Sequence, residues 1–307
     1  MTPATRSGFV AIVGRPNVGK STLTNRLVGG KVAIVSAAPQ TTRRRILGIC
    51  NRPGGQCVIF DTPGIHKPHH EMNRRMVADA TEAMAGADLI MFMCEVEEGW
   101  RTTSGFGPGD RFILSRLPRE GVPVVLGINK IDRVKKSRLL PIIDSLKDAF
   151  PFREILLFSA LTGDNTGDLA EKLISWLPEG EPLYPEDELT DQTVRAMACE
   201  LIREKLLNHT RQELPHETCV LLDLYADEPA LTRIEATVLV DRESQRKMVI
   251  GREGGMMKAV GTEAREEIER LIGRKVFLRI WVKVREGWRD DRRVLSQLGL
   301  DIRGREP

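Results

Sequence analysis

The stretch GRPNVGKST, Gly14 to Thr22, follows the apolar run FVAIVG and leads into residues with helical spacing near 19–29. Gly14, Gly19, Lys20 and Ser21 fit the pattern G-x-x-x-x-G-K-[ST] between a strand and a helix. Glycines let the main chain curl until several N–H groups converge at the positive end of the next helix, a cradle for phosphate. In such a cradle Lys20 neutralises the β and γ phosphates of a nucleotide and the Ser21 hydroxyl ligates magnesium. Arg15, Pro16, Asn17, Val18 and Thr22 complete the loop.

Downstream, short apolar runs alternate with amphipathic stretches as far as Trp176. RRILGIC, QCVIFDT, ADLIMFMCEV, VPVVLGINK and ILLFSA read as strands; segments near 69–85, 134–149 and 167–176 read as helices. This alternation predicts an α/β domain with a mostly parallel sheet covered on both faces. The strands near 45–60 are joined only by NRPGGQ, so one of them should run antiparallel. The acidic, proline-rich LPEGEPLYPEDELTDQ then marks a boundary, giving a domain over 1–178, a linker over 179–190 and a second domain over 191–307.

The net charge of +3 is unevenly spread: residues 1–178 carry 24 basic and 17 acidic side chains, 179–241 carry 5 and 15, and 242–293 carry 15 and 9. A basic segment late in the chain permits a polyanion partner. No apolar run reaches the length of a spanning helix and the N-terminus lacks a signal-peptide pattern, so the expected location is cytoplasmic. The five cysteines form no CxxC pair and read as reduced core residues.

Two further strand ends carry chemistry. NKID, Asn129, Lys130, Ile131 and Asp132, lies where an open α/β sheet keeps its ligands. The Asp132 carboxylate can accept from both N1–H and the 2-amino group of guanine, whereas adenine offers no such donor pair, so GTP is expected over ATP. Lys130 would lay its stem over the base, and Ser159, Ala160 and Leu161 would close the pocket with backbone donors. In DTPG, Asp61 would hold magnesium from a second side, with Thr62 and Pro63 leading to Gly64, whose N–H can approach a γ phosphate, and Ile65 is expected as the last nucleotide contact of this segment. SAAPQTTRRR reads as a first switch loop with Thr42 as the magnesium-sensing hydroxyl and Thr41 as the alternative; Arg43–Arg45 read mainly as a solvated strand edge. IHKPHHEMNRRM reads as a mobile second switch rather than a zinc site.

These motifs resemble those of translation-factor-like GTPases. Small signalling GTPases carry a water-orienting glutamine where this chain has Ile65, so hydrolysis should be slow or otherwise assisted. Several families with an apolar residue there use a potassium ion near the phosphate loop; Asn17 either helps hold such an ion or simply favours the turn. The expected metal ligands are Ser21, Thr42 and Asp61, and the expected catalytic set is Lys20, Thr42, Gly64 and Asn17.

Beyond the boundary the order reads α-β-β-α-α-β, with MVIGREGGMMKAVG between two helices. This resembles a type II KH module, whose glycine turn clamps about four single-stranded nucleotides. Ile250, Gly251, Arg252, Glu253, Gly254 and Lys258 are the expected RNA contacts, with Glu253 an unusual acid at this turn. Phe277 reads as core, while Trp281 and Trp288 are left between core packing and base stacking.

A P-loop GTPase domain followed by a smaller α+β KH domain, with PQTTRRRILGI, DTPGIHKP and LYPEDELTDQTVR, is similar to the Era family over nearly the whole chain. The resemblance implies slow hydrolysis of GTP to GDP with Mg2+, KH binding to the 3′ end of 16S ribosomal RNA, a role in assembly of the 30S subunit, and peripheral association with the cytoplasmic membrane. A monomer that does not engage DNA is expected. A switch that recruits protein partners without RNA is the alternative, and a metabolic kinase is disfavoured by NKID. The glycine-containing loop over 97–112 departs from the family pattern.

Overall fold

Val10 and Ile12 pack into one apolar cluster while Ala11 and Val13 pack into another, so the first strand is covered on both sides. That strand, β1 (Arg6–Gly14), belongs to a sheet built with α1 (Lys20–Val28), β2 (Ile46–Arg52), β3 (Gly55–Asp61), α2 (Glu71–Ala85), β4 (Leu89–Glu95), α3 (Pro108–Leu114), β5 (Val124–Asn129), α4 (Leu139–Leu146), β6 (Ile155–Leu157) and α5 (Thr166–Ser175). The strand order is β2-β3-β1-β4-β5-β6. All pairs are parallel except β2 with β3, as the short NRPGGQ connection requires. The computed structural model describes residues 5–38, 40–66, 68, 70–96, 105–210 and 218–300; the first half of the 97–112 loop, 97–104, lies outside them.

α4 starts at Leu139, later than the expected 134, after a short 3₁₀ turn over Lys136–Arg138. Pro141 accounts for this: it sits in the first helical turn, where a missing N–H costs no hydrogen bond, and an earlier start would have put it in the interior. Arg43 is buried rather than part of a solvated edge, whereas Arg45 is exposed and lies 4.5 Å above the Phe60 ring. Cys50, Cys57, Cys94 and Cys219 are buried free thiols, and Cys199 is half-buried.

Contacts divide the chain into two units. The first comprises Met1–Ala33, Thr42–Pro68 and Met76–Asp191, so far as these are described. It includes the acidic segment read as a linker, which is strapped along β2 and β3. Gln56 Oε1 accepts from the Leu183 and Tyr184 N–H groups at 2.8 and 2.9 Å, and Ile49 N–H donates to the Leu189 carbonyl at 2.9 Å.

The second unit comprises Ile34–Thr41, His69–Arg75 and Gln192–Pro307, again so far as described. Its sheet, β7 (Thr218–Asp227), β8 (Thr232–Val240) and β9 (Val276–Val284), pairs β7 antiparallel and β9 parallel to β8. α6 (Val194–His209), α7 (Glu243–Ile250) and α8 (Gly255–Ile272) supply the helices, giving the expected α-β-β-α-α-β order. Ala198, Ile202, Val249, Val260 and Ala264 of these helices share one apolar cluster with Ile234, Val238 and Val276 of the sheet. Two short pieces of the N-terminal half belong here through hydrogen bonds: the Val35 N–H donates to Glu204 Oε1 at 3.0 Å, and the Glu71 N–H to Asp290 Oδ1 at 2.9 Å. The tail adds α9 (Arg292–Gln297), which the sequence pattern did not predict.

Candidate functional site

The phosphate loop leaves β1 at Gly14 and enters α1 at Lys20. Asn17 and Gly19 both take left-handed backbone, with φ of 64° and 99°. A side chain at Gly19 would also fall 2.4 Å from the Asn129 amide nitrogen, so only glycine fits. Lys20 is buried, and its ammonium donates to the Gly14 and Arg15 carbonyls at 3.1 and 2.9 Å. Burial pulls its pKa down to about 8 against the attraction of Asp61.

Asp61 ends β3, fully buried. Ser21 Oγ donates to Asp61 Oδ2 at 2.6 Å, and Thr42 Oγ1 lies 2.8 Å from Ser21 Oγ and 3.4 Å from the same carboxylate oxygen. Burial pushes the Asp61 pKa up to about 6, against the hydrogen bond from Ser21 and the charge of Lys20. Asp61 Oδ1 is buried with no hydrogen-bond partner. A small set of hard oxygens around one unsatisfied carboxylate atom fits Mg2+. Thr41, the alternative sensor, instead donates its hydroxyl to the Ala38 carbonyl.

At the end of β5 the Asn129 carboxamide joins two loops: Nδ2 donates to the Val18 carbonyl at 2.7 Å, and Oδ1 accepts from the Ala160 N–H at 2.9 Å. The Ala160 N–H expected to face a base is thus engaged by Asn129. Ser159 is buried, Leu161 is exposed, and Arg26 ties the segment to α1 through the Ala160 and Leu161 carbonyls. Asp132 is exposed in a 3₁₀ turn with Ile131, free to meet a ligand. Lys130 Nζ donates to the Asn17 carbonyl at 2.9 Å and pairs with Glu95.

Glu95 is a residue that sequence reasoning missed. It ends β4, pairs with Lys130 and lies 3.7 Å from Arg15 Nη2; Arg15 in turn bonds Asp110 Oδ1 at 2.9 Å. The only sequence signal was an acid closing the apolar run LIMFMC. For Arg26 and Asp110 there was none.

Thr62 donates to the Ile12 carbonyl at 2.7 Å, anchoring DTPG to β1. The Ile65 side chain is 1% exposed and packs with Ala11, Val13 and Ala80. It serves the core beneath α2, and only its backbone, whose N–H donates to the Gly14 carbonyl at 3.2 Å, joins the loop. His66 Nδ1 lies 2.9 Å from the Gly64 carbonyl; His69 lies outside the described residues.

In the second unit, α7 ends at Ile250, and Gly251 (φ 76°), Glu253 (φ 53°) and Gly254 (φ 77°) carry the chain into α8. A side chain at Gly251 would meet Met256 Cβ at 2.8 Å, while Gly254 faces open space and needs glycine for its backbone alone. Arg252, Glu253 and Lys258 are all exposed. Trp288 is 0% exposed, a core residue, and Phe277, expected in the core, is 36% exposed. The reason is strand alternation: Leu278, Ile280 and Val282 face the helices, so the odd-numbered residues of β9 face the other way.

A phosphate loop, an oxygen cluster and an Asn-Lys-x-Asp loop on one carboxyl edge of a parallel sheet define a guanine-nucleotide-binding P-loop domain, here on the same chain as a KH-type unit. A family profile described as 50S ribosome-binding GTPase matches residues 9–130, and a KH-domain profile matches 213–289. The chain is 45% identical over 296 residues to GTPase Era of Geobacter metallireducens, covering 96% of this chain and 97% of that one. Among solved structures it is similar to Era in complex with MgGDPNP and nucleotides 1506–1542 of 16S ribosomal RNA (38% identity, TM-score 0.91, 97% of this chain and 100% of that one). A variant of Aquifex aeolicus Era bound to GDP and aluminium fluoride is equally similar, with 38% identity, a TM-score of 0.90 and the same coverage. The chain belongs to the Era family of GTPases.

Proposed function

We propose that this protein binds GTP with Mg2+, hydrolyses it slowly to GDP and phosphate, and binds the 3′ end of 16S ribosomal RNA through its KH unit. The observation that carries the nucleotide half is the Ser21–Thr42–Asp61 cluster with its buried, unpartnered carboxylate oxygen. Ser21, Thr42 and Asp61 would hold the magnesium ion, which when bound supplies positive charge to the phosphate oxygens. Lys20 neutralises the β and γ phosphates, and Gly64 and Thr42 close on the γ phosphate. The guanine edge is read by Asp132 and the base is covered by Lys130, which the Asn17 carbonyl and Glu95 hold in place. In hydrolysis, water attacks the γ phosphorus and its bond to the β–γ bridging oxygen breaks. No polar side chain at position 65 orients that water, which supports slow turnover. A potassium ion partly held by Asn17 would offset this.

Similarity to an Era structure that contains 16S ribosomal RNA supports the RNA half. The exposed Arg252 and Lys258 beside a glycine turn supply the charge and the close approach that phosphates need. A role in 30S assembly belongs to the same reading, as does peripheral attachment to the membrane; among the described residues no helix is long and apolar enough to cross one. The test is a titration of GTP and of ATP with Mg2+, in the presence and absence of an RNA carrying the 16S 3′ end. GTP alone should bind tightly, and RNA should shift its affinity as GTP shifts that of RNA. Equal binding of ATP would remove the nucleotide half, and no retention of RNA in either state would remove the other.

A further inference from the structure

Phe277, Arg279, Trp281 and Lys283 alternate along β9 on the face of the second sheet opposite the face that packs against α6, α7 and α8. Phe277 and Trp281 are 36% and 38% exposed. The Arg279 guanidinium sits 5.4 Å from the Phe277 ring and 5.5 Å from the Trp281 ring, and Arg233 of the neighbouring strand lies 4.8 Å over Phe277. The result is ring, cation, ring in steps of about 6.7 Å along a rigid strand, nearly twice the rise of stacked bases. Cationic and aromatic planes of this kind are what sequence-tolerant single-strand binders offer to bases.

We propose that this open sheet face binds unpaired bases of an RNA segment distinct from the one held at Gly251–Gly254. The proposal rests on the RNA reading given above and adds a second contact surface to it. The Gly251–Gly254 turn joins two helices on the covered side of the sheet, so the two surfaces engage different parts of one RNA. An anionic lipid surface is the other partner that aromatic and basic side chains can meet. Here Glu235 stands opposite Arg279 in the strand register, and pressing it onto headgroup phosphates is unfavourable, whereas bases stacking on ring and guanidinium planes leave it in water.

The test uses the full chain and two labelled RNAs: one of about four nucleotides that fills the glycine turn, and an unstructured one of about twenty that reaches both surfaces. Trp281→Leu with Phe277→Leu should weaken the long RNA by about tenfold or more and leave the short one unchanged, and Trp281→Phe should restore most of the loss. Equal affinity of the double variant and wild type for the long RNA overturns the proposal. So does a loss that falls equally on both RNAs, or a loss confined to anionic phosphatidylserine vesicles. If the wild type binds neither RNA, the RNA reading itself fails, a result distinct from all of these.

Discussion

The Ser21 hydroxyl donates to Asp61 Oδ2 at 2.6 Å, while Asp61 Oδ1 is buried without a partner. An unpaired buried carboxylate oxygen is unfavourable by itself and is relieved by a cation. Asp61→Asn should therefore raise the Mg2+ concentration needed for half-maximal GTP turnover by about tenfold or more. Circular dichroism should stay unchanged; an unaltered magnesium titration would remove Asp61 from the metal site.

Two buried charges, Asp61 and Lys20, set a pH dependence. Asp61 holds its proton to about pH 6 when folded against an ordinary 3.8, so stability without ligand is greatest below both values and falls as pH rises through 6. Lys20 is lowered to about 8 from 10.5, so its contribution is best above 10.5 and falls as pH drops through 8. Near neutral pH both penalties are present, and Mg-GTP relieves both. The rise in Tm caused by Mg-GTP should be larger at pH 7.5 than at pH 5, where the metal must first expel the Asp61 proton. Differential scanning fluorimetry at both values checks this, and equal shifts would contradict it.

Asp132 is exposed and carries no structural burden, so Asp132→Asn should change the base selected and leave the fold intact. An amide accepts from N1–H and donates to the 2-oxo group of xanthine, where a carboxylate needs the 2-amino group of guanine. Competition binding should show GTP affinity falling by about ten- to a hundredfold with XTP gaining. No gain for XTP would place the guanine contact elsewhere.

Asn129 is the opposite case, since its carboxamide joins the Val18 carbonyl to the Ala160 N–H. Asn129→Ala leaves two buried groups unpaired, at about 1–3 kcal/mol each. Urea unfolding should show that loss of stability even in the absence of nucleotide.

Asn17 offers a cleaner contrast between a cation ligand and a turn residue. If its side chain helps hold potassium, turnover in K+ exceeds that in Na+ and Asn17→Ala abolishes the difference. Equal rates in the two salts remove the cation role and leave Asn17 a turn residue, with left-handed backbone (φ 64°) and a carbonyl that accepts from Lys130 Nζ.

The nucleotide half was legible because its residues are dictated locally: phosphate loop, DTPG and NKID each sit at a strand end that apolar periodicity had already located. What escaped the sequence depends on partners far along the chain. Glu95 gains meaning only from Arg15 and Lys130, and the acidic segment read as a linker gains its place only from Gln56 and Ile49. Ile65 was grouped with ligand contacts by position, but its side chain follows the core beneath α2. Phe277 was misread for a simpler reason: in VFLRIWVKV apolar residues occupy both faces, and only the helices packed on Leu278, Ile280 and Val282 decide which is inside.

The most direct test of the account as a whole is the salt dependence of binding to the 16S 3′ end, compared between wild type, Lys258→Glu and Gly254→Asp. Gly254 faces open space, so an aspartate there places an anion beside the phosphate path and is strained only through its φ of 77°. The wild type should bind tightly and with strong salt sensitivity, Lys258→Glu should reduce the slope of log affinity against log salt by about 0.7, and Gly254→Asp should bind RNA far more weakly while retaining GTP binding. Binding that is indifferent to salt and to both substitutions would contradict the account.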